Sequence, residues 1–547
     1  MSGALRNLLH SRGAPPAPLR EVREHVARHG PPDAAALRKL AARYRMPVAA
    51  LRGAISYYAD LHAEPAELRI CQGTSCRLAG AGRLTQDLSE HTSCRTVYCV
   101  GHCDRSPAIL AGDRVALPDP DGNPATTLAA ARAASGNLPP TRVRSMSPTP
   151  IVTRRLGRGG FAELDKARED GAYRALQSAL DGDPEDVLRS VIASGERGRG
   201  GAGFSTGHKW RAAAAASGPL KYVIANGDEG DPGSFVDRVL MEEDPHGLIE
   251  GLALCALAIG ATEGIVFVRS EYPAAHAVVE RAIARAREAG ILGPRMMGRG
   301  PAFDVTVFIG MGSYVCGEET ALLNTIEGFR GEVRPRPPYP VESGLFGHPT
   351  VVNNVETLVN VPWIVEHGGE AYRALGTEAS PGTKAMCLNA GFARPGIVEV
   401  ELGTPLRAVL DEAGGADGLL AVLLGGPMGS VVRPRDWDVP IAHDEMSDRG
   451  VELGHGGVVA VPGDADLGAL LGHWLTFMAD ESCGKCVPCR VGSGRLRDMA
   501  RDGRRSRDSA GFDRLLHVVE QGSLCAFGQR MPVPIRELVA LIDETAP

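Results

Sequence analysis

Nine of the twelve cysteines in this 547-residue chain fall into two groups, one towards each end. Cys71, Cys76, Cys94, Cys99 and Cys103 form the first, and Cys483, Cys486, Cys489 and Cys525 the second. Only Cys255, Cys316 and Cys387 stand apart. The opening stretch, MSGALRNLLHSRGAPPAPLR, lacks the continuous apolar core of a secretory signal. It carries Arg and no acid, as transit peptides do, but reads first as a frayed start. A cytoplasmic location is expected. In a reducing compartment a disulfide framework is not, so clustered thiols point to metal.

Cys483-Gly-Lys-Cys486-Val-Pro-Cys489 is a C-x2-C-x2-C run, with a distant fourth cysteine in Leu524-Cys525-Ala526. Two-residue spacings let three thiolates converge from one loop, and a fourth from elsewhere closes a [4Fe–4S] cubane. Structural zinc is the alternative, although it more often uses two separate C-x2-C pairs. Near the other end, Cys71-x4-Cys76 and Cys99-x3-Cys103 give two pairs, each after an expected strand. Two pairs suit the two irons of a [2Fe–2S] cluster, with zinc a closer rival. Cys94 fits this spacing less well and reads as a free thiol.

A chain of this length exceeds one core, since domains usually run to about 100–200 residues. Net charge is −7 and aromatics make up 5%. Both argue against a nucleic-acid partner. No apolar run reaches about 18 residues without a charge. The stretch 252–268 comes closest, and Glu263 interrupts it. No membrane span is expected.

Residues 19–62 have helical spacing at Val22, Val26, Leu37, Leu40, Ala41, Leu51, Ile55 and Tyr58. Strands follow at 68–71 and 96–100, with a hairpin about Gly112-Asp113. The whole of 19–138 is expected to be one compact α/β unit. Pro, Ser and Arg fill 139–150, which reads as a linker. Strands at 221–225, 264–268 and 305–310 alternate with helices such as 276–289, which favours an α/β sheet. Short strands and glycine turns mark 385–465 as a small α+β module, and helix returns after 467.

Gly198-Arg-Gly200-Gly201-Ala-Gly203 formally matches G-x-G-x-x-G. It follows an expected helix, 185–194, where a dinucleotide fingerprint follows a strand. The longer run RGRGGAGFSTGHKW still lets backbone N–H groups approach an anion. Arg197, Arg199, Lys209 and Arg211 add positive charge, so a phosphate-bearing cofactor is expected; a merely flexible loop is the alternative. Asn226-Gly-Asp228-Glu229-Gly-Asp231 follows a strand, where carboxylates bind ribose hydroxyls, a ring amide or a metal, or simply form a solvated turn. In GSYVCGEET, Glu318 and Glu319 begin an expected helix, where they suit the dipole.

Together, RGRGGAGFSTGHKW, NGDEGDPGSFVDR, GSYVCGEETALLNTIEG, GHPTVVNNVETL and ESCGKCVPCR…LCAFG resemble the flavin-bearing, NADH-oxidising subunit of respiratory complex I. The same subunit recurs as the diaphorase of NAD-reducing hydrogenases and in NAD-dependent formate dehydrogenases. The resemblance spans about 150–547. Residues 19–138, with CQGTSC and CVGHC, resemble its thioredoxin-like [2Fe–2S] partner, here fused to it.

The resemblance implies an α/β multidomain chain. Its parts are an N-terminal helical segment (1–65), a thioredoxin-like [2Fe–2S] domain (66–138), the linker (139–150), a Rossmann-like FMN/NADH-binding α/β domain (151–380), a ubiquitin-like, SLBB-type α+β module (381–465) and a helical [4Fe–4S] domain (466–547). Gly198, Gly200, Gly201 and Lys209 are then expected to cradle the FMN phosphate. Asn226, Asp228, Tyr314, Gly317, Glu318, Asn353 and Asn354 line the flavin. Phe204, Asp231, Glu319 and Tyr339 lie along NADH, with Phe204 and Tyr339 stacking on adenine and Glu319 accepting a hydrogen bond from the nicotinamide amide. The metal ligands are Cys71, Cys76, Cys99 and Cys103, and Cys483, Cys486, Cys489 and Cys525. Asp231, Ser205 and Ala212 depart from the family's usual Glu, Pro and aromatic residue. The sequence therefore leaves NAD-versus-NADP preference open.

The reaction so implied passes hydride from NADH to FMN and then single electrons to the Cys483 cluster, with no side-chain acid or nucleophile. The expected partners are NAD(H) and the iron–sulfur and catalytic subunits of a larger redox complex. The fusion favours a soluble formate dehydrogenase or hydrogenase, with a slight lean to formate, over complex I. A zinc-stabilised, non-redox scaffold is the reading from another class.

Overall fold

The computed structural model describes residues 18–62, 66–119, 122–134, 136, 138–503 and 508–545. The stretch expected to be a frayed start lies almost wholly outside these residues.

Helices Pro18–His29, Ala34–Arg43 and Val48–Ile55 come first. Asp33 starts the second by accepting hydrogen bonds from the Ala35 and Ala36 amides at 2.9 and 2.8 Å. Leu19, Val22, Leu37, Leu40, Leu51 and Tyr58 bury one face against Ile224, Phe267 and Phe308 of the large parallel sheet. This corrects the expectation of one α/β unit over 19–138. The amphipathic period identifies a buried face but not the surface it meets. Tyr58 secures the contact, its hydroxyl donating to the Phe329 carbonyl at 2.7 Å.

The first sheet has strands β1 (Leu68–Cys71), β2 (Cys94–Val97), β3 (Ile109–Ala111) and β4 (Arg114–Ala116), in the order β2-β1-β3-β4. β1 and β2 are parallel, and β3 and β4 close an antiparallel hairpin. β2 begins two residues before the expected 96–100 and stops at Val97, because the chain turns at Cys99, whose φ is 60°. Within 139–150 lies β5 (Val143–Ser145), which pairs with a distant strand. The expected linker is therefore partly sheet. Three residues among Pro and Ser are too short for alternation to show.

The central sheet has four parallel strands: β6 (Tyr222–Gly227), β7 (Glu263–Val268), β8 (Asp304–Ile309) and β9 (Thr350–Asn354), in the order β8-β7-β6-β9. Helix Pro245–Ile259 is buried at every position except Ala258. At Gly251 a Cβ would stand 2.1 Å from the Leu358 carbonyl oxygen, so only glycine lets helix Val355–His367 cross this closely. The apolar run 252–268 is the end of the Pro245–Ile259 helix joined to β7. Among the described residues no helix is long and apolar enough to cross a membrane.

The third sheet takes β10 (Thr383–Leu388), β11 (Gly396–Glu401), β12 (Leu419–Leu424), β13 (Ser430–Val432) and β14 (Gly457–Pro462), with β5 at its edge, in the order β13-β12-β14-β10-β11-β5. Glu399 on β11 is fully buried. It accepts from the amides of Ile151, Val152 and Thr153 at 2.8, 3.1 and 2.9 Å, tying this module to the start of the central unit. Helices Leu467–Asp480, Val487–Arg501, Ser509–Gly522, Ala526–Arg530 and Pro532–Thr545 complete the chain.

Candidate functional site

In an open parallel sheet, ligands bind beyond the carboxyl ends of the strands where strand order reverses. Here β7 and β8 lie on one side of β6, and β9 on the other. The reversal is thus between β6 and β9, where Asn226 is in register with Asn354. The expected flavin-lining residues gather at this crevice. Asn226 Nδ2 donates to the Gly317 carbonyl at 2.8 Å. Asn353 accepts from Trp210 Nε1 at 2.8 Å, and Asn354 donates to Asp237 Oδ2 at 2.5 Å.

The glycine loop meets the same crevice. It runs from helix Pro184–Ser194 to helix Thr206–Ala215, so it joins two helices. Ser205 caps the second helix, accepting from the His208 amide at 3.3 Å. A Cβ at Gly200 would lie 3.0 Å from Asn354 Cβ, and one at Gly201 would lie 3.3 Å from the Gly454 carbonyl carbon. The loop therefore passes closely over β9 and the third module. Lys209 points back to the strand ends, donating to the Val352 carbonyl at 2.9 Å. The other expected cations behave differently. Arg199 is buried and holds Glu196 at 2.9 Å and the Tyr372 hydroxyl at 2.7 Å. Arg197 donates to the Gly203 carbonyl at 2.7 Å. These two brace the loop from within, because a loop this rich in glycine has few other side chains to fix it.

Tyr314 is buried, and its hydroxyl donates to Asp231 Oδ1. Glu318 is the N-cap of helix Glu319–Ile326, accepting from the Thr320 and Ala321 amides at 2.9 Å each. Glu319 lies 3.2 Å from Lys209 Nζ and 2.9 Å from Arg336 Nη1. Phe204 and Tyr339 are 57% and 52% exposed, unusual for aromatic rings beside such a crevice. Asp228 Oδ2 is buried without a hydrogen-bond partner, and burial pushes this carboxyl well above the usual range. The orphaned oxygen, the three asparagines, Lys209 and the narrow glycine turn fit a flavin mononucleotide.

The N-terminal thiols occupy the carboxyl ends of the parallel strands β1 and β2. Cys71 ends β1, Cys76 lies in helix Thr74–Leu78, and Cys99 and Cys103 follow β2. All four are at most 2% exposed, and Cys99 Sγ lies 3.8 Å from Cys103 Sγ. A hydrogen bond from Cys76, together with the Gly73, Val100 and Cys99 amides, brings the Cys71 thiol down to about 7. Cys94 pairs with Leu68, at the other end of β1 from Cys71. In the C-terminal unit, Cys483, Cys489 and Cys525 share one core, with Cys486 packed against it. Burial pushes Cys489 and Cys525 up to about 12, so thiolates here call for bound cationic charge. Among the described residues no three His, Cys, Asp or Glu side chains close about the position of a single ion. Polynuclear clusters hold their thiolates wider apart than one ion does, and four thiols per group, all buried but Cys486, which is partly so, fit them.

A run of aromatic rings connects the three sites. Tyr98, beside Cys99, meets Phe477 edge-on at 4.9 Å; Phe477 meets Tyr314 at 5.1 Å; Tyr314 meets Phe527, near Cys525, at 5.6 Å. Trp474 Nε1 donates to Thr74 Oγ1 between Cys71 and Cys76 at 3.2 Å. Sequence reasoning singled out only Tyr314 of these residues, since ring contacts across three units leave no periodic trace.

Comparison with known proteins gives three family matches: a thioredoxin-like [2Fe-2S] ferredoxin over 17–119, the Nuo51 FMN-binding domain over 191–363, and the NADH-ubiquinone oxidoreductase-F iron-sulfur binding region over 469–544. The chain is 41% identical to the NADP-reducing hydrogenase subunit HndC of Solidesulfovibrio fructosivorans, over 70% of this chain and 80% of that protein. It is 42% identical to an NADH-quinone oxidoreductase subunit of Rhizobium meliloti, over 63% of this chain and 83% of the relative. A solved chain of an H2-reduced, NAD+-reducing [NiFe]-hydrogenase matches with a TM-score of 0.84 at 30% identity, covering 96% of this chain and 91% of that one.

Proposed function

The chain belongs to the family of NADH-oxidising flavoprotein subunits that complex I shares with NAD(P)-reducing hydrogenases, and on that basis we propose that it is the diaphorase subunit of a hydrogenase-type complex. It is an NADH oxidoreductase with an FMN-binding domain, a [4Fe–4S] region and a thioredoxin-like [2Fe–2S] domain. Membership in this family sets aside the non-redox scaffold. The hydrogenase likeness extends over nearly the whole chain, fused [2Fe–2S] unit included, which favours this setting over complex I. The lean to formate finds no support in the relatives named above.

We assign the parts as six units: 1–65, helical where described (18–62), 66–138 [2Fe–2S], 139–150 connecting, 151–380 FMN and NADH, 381–465 ubiquitin-like, and 466–547 [4Fe–4S]. FMN held in this crevice would supply hydride exchange with NAD(H) and one-electron exchange with the clusters. The protein's own work is orientation and exclusion of water. Gly198, Gly200, Gly201 and Lys209 hold the phosphate. Asn226, Asp228, Asn353 and Asn354 fix the ring at the β6–β9 crevice, with Tyr314, Gly317 and Glu318 beside it. Phe204 and Tyr339 offer their exposed faces to adenine, and Asp231 and Glu319 take the nicotinamide half. Cys71, Cys76, Cys99 and Cys103 hold the [2Fe–2S] cluster, and Cys483, Cys486, Cys489 and Cys525 the [4Fe–4S] cluster. The observation that carries this reading is Tyr314, which touches the crevice through Asp231 and reaches both cysteine groups through Phe477 and Phe527.

The complex partner has its own surface. Val487 and Leu524, which adjoin Cys486 and Cys525 in the chain, and Val491 and Val518 of the neighbouring helices are 47–58% exposed, and Arg490, Arg495 and Arg514 of the same helices are exposed too. Exposed apolar side chains next to two ligands of the [4Fe–4S] cluster suit docking of an iron–sulfur subunit there. Purified, the holo chain is expected to oxidise NADH with ferricyanide or a viologen, and not to reduce NAD with hydrogen until a catalytic subunit is added. Hydrogen-dependent NAD reduction by the chain alone would overturn the subunit assignment.

A further inference from the structure

Two buried arginines of the central unit reach into the loop that carries Cys99 and Cys103. Arg238 donates from Nε to the Gly101 carbonyl at 2.7 Å. Arg269, just beyond β7, donates from Nη2 to the Tyr98 carbonyl at 2.9 Å and the Cys99 carbonyl at 3.3 Å. The loop is fitted to this contact. At Gly101 (φ 71°) a Cβ would lie 2.6 Å from the Tyr272 ring.

The two cations are not equivalent. Arg238 is matched by Glu242 on its own helix. Arg269 is held by Glu271, at 2.9 Å from Nη2 and 3.3 Å from Nε. Its Nε also lies 3.9 Å from Asp228 Oδ1, in the wall of the flavin crevice. Its Nη1 is buried with no hydrogen-bond partner, beside Gly230, where a Cβ would stand 2.3 Å away. One guanidinium, 4% exposed, thus has one edge on the backbone of a cluster ligand and another towards a flavin-shell carboxyl.

A cluster gains one negative charge on reduction, with no bond made or broken. In a dry interior a fixed cation nearby stabilises that charge more than it would in water, and local charge and exposure are what set such potentials. Resting on the [2Fe–2S] reading above, we propose that Arg269 is a positioning residue that sets the reduction potential of the [2Fe–2S] cluster and ties it to the flavin shell through Asp228. Glu271 opposes it from the same pocket.

The test is a potentiometric titration of the full-length holo chain, followed by electron paramagnetic resonance. Arg269→Met is expected to lower the reduction equilibrium constant of the [2Fe–2S] cluster about tenfold, ~59 mV for one electron, and to leave the [4Fe–4S] midpoint in place. Arg269→Lys, which keeps the charge, is expected to recover most of the shift. Glu271→Gln is expected to move the same midpoint upwards. Opposed shifts distinguish charge from a merely structural role, and if Arg269→Met does not retain the cluster, Glu271→Gln alone decides. Unmoved midpoints, or shifts of the same sign, would overturn the proposal. Absence of a [2Fe–2S] signal from the unsubstituted chain would instead overturn the cofactor reading beneath it.

Discussion

Lys209 Nζ stands 3.2 Å from Glu319 Oε2, joining the helix after the glycine loop to the first residue of the helix that Glu318 caps. Arg336 holds the other oxygen of Glu319 at 2.9 Å, so the carboxylate is fixed between two cations at the mouth of the crevice. Glu318 gives one oxygen to amides of its own helix and the other to Arg336 Nη2 at 3.3 Å. Of this acidic pair, Glu319 is the one whose oxygens are both held by side-chain cations rather than by its own helix.

Glu319→Gln keeps the shape and an acceptor but removes the charge. The expected result is a rise of about tenfold in KM for NADH, ~1.4 kcal/mol, with bound FMN unchanged. Steady-state NADH–ferricyanide kinetics and the flavin released on denaturation read the two quantities separately. Lost flavin with an unaltered KM would put Glu319 in the flavin shell.

Cys486 is the least buried thiol of the C-terminal group and is the N-cap residue of helix Val487–Arg501. Cys486→Ser is expected to remove the [4Fe–4S] resonance signal while FMN and the [2Fe–2S] signal persist. An unchanged set of signals would show that Cys486 is not a ligand.

Cys94 is three positions from the register partner of Cys71. At about 3.3 Å per residue that is roughly 10 Å along the strand. Cys94→Ala in the full chain is therefore expected to retain the [2Fe–2S] iron, measured by metal analysis and resonance. The full chain is needed because the N-terminal helices bury their apolar face on the central sheet.

What the sequence made legible follows from range. Thiol spacing within a loop is local chemistry, and the glycine loop's position after a helix was readable because helix 184–194 has a clear period and a Gly195 stop. The packing partner of the N-terminal helices was not readable, since Val22 and Leu40 show only that they are buried. β5 was hidden for a similar reason: its three residues acquire meaning only from β11. Arg199 is one of several basic letters in a glycine run, and Arg269 is a lone one. One braces a loop and the other bridges two sites, through partners more than 100 residues away in Tyr372 and Cys99.

Glu399 offers a stability test. Its carboxylate gathers three amides and the hydroxyls of Thr153 and Thr383, at 2.5 and 2.6 Å, with no solvent exposure. Glu399→Ala would leave those donors buried and unpaired, at roughly 1–3 kcal/mol for each group left unsatisfied. The expected outcome is early loss of the contact between the third module and 151–153 on heating, read as protease cleavage there at temperatures the parent withstands. Equal resistance would mean that water or a shifted backbone replaces the carboxylate.

Glu250 gives the stability a pH dependence of calculable sign. It lies fully buried in helix Pro245–Ile259, accepting from the Tyr173 and Leu176 amides at 2.7 and 3.1 Å. Burial raises it to about 7, against the lowering effect of those amides and of Arg154 and Arg155. The folded chain therefore keeps a proton that the unfolded chain releases above about 4.3. That contribution is complete below the unfolded value and disappears as pH rises through 7; at about 1.4 kcal/mol per unit it amounts to roughly 4 kcal/mol. Glu250→Gln stays neutral throughout, so its deficit relative to the parent is expected to shrink between pH 5.5 and 8. Denaturant midpoints of the two proteins at four pH values across that window decide the matter. A deficit that stays constant would mean that Glu250 is already ionised in the fold at pH 5.5.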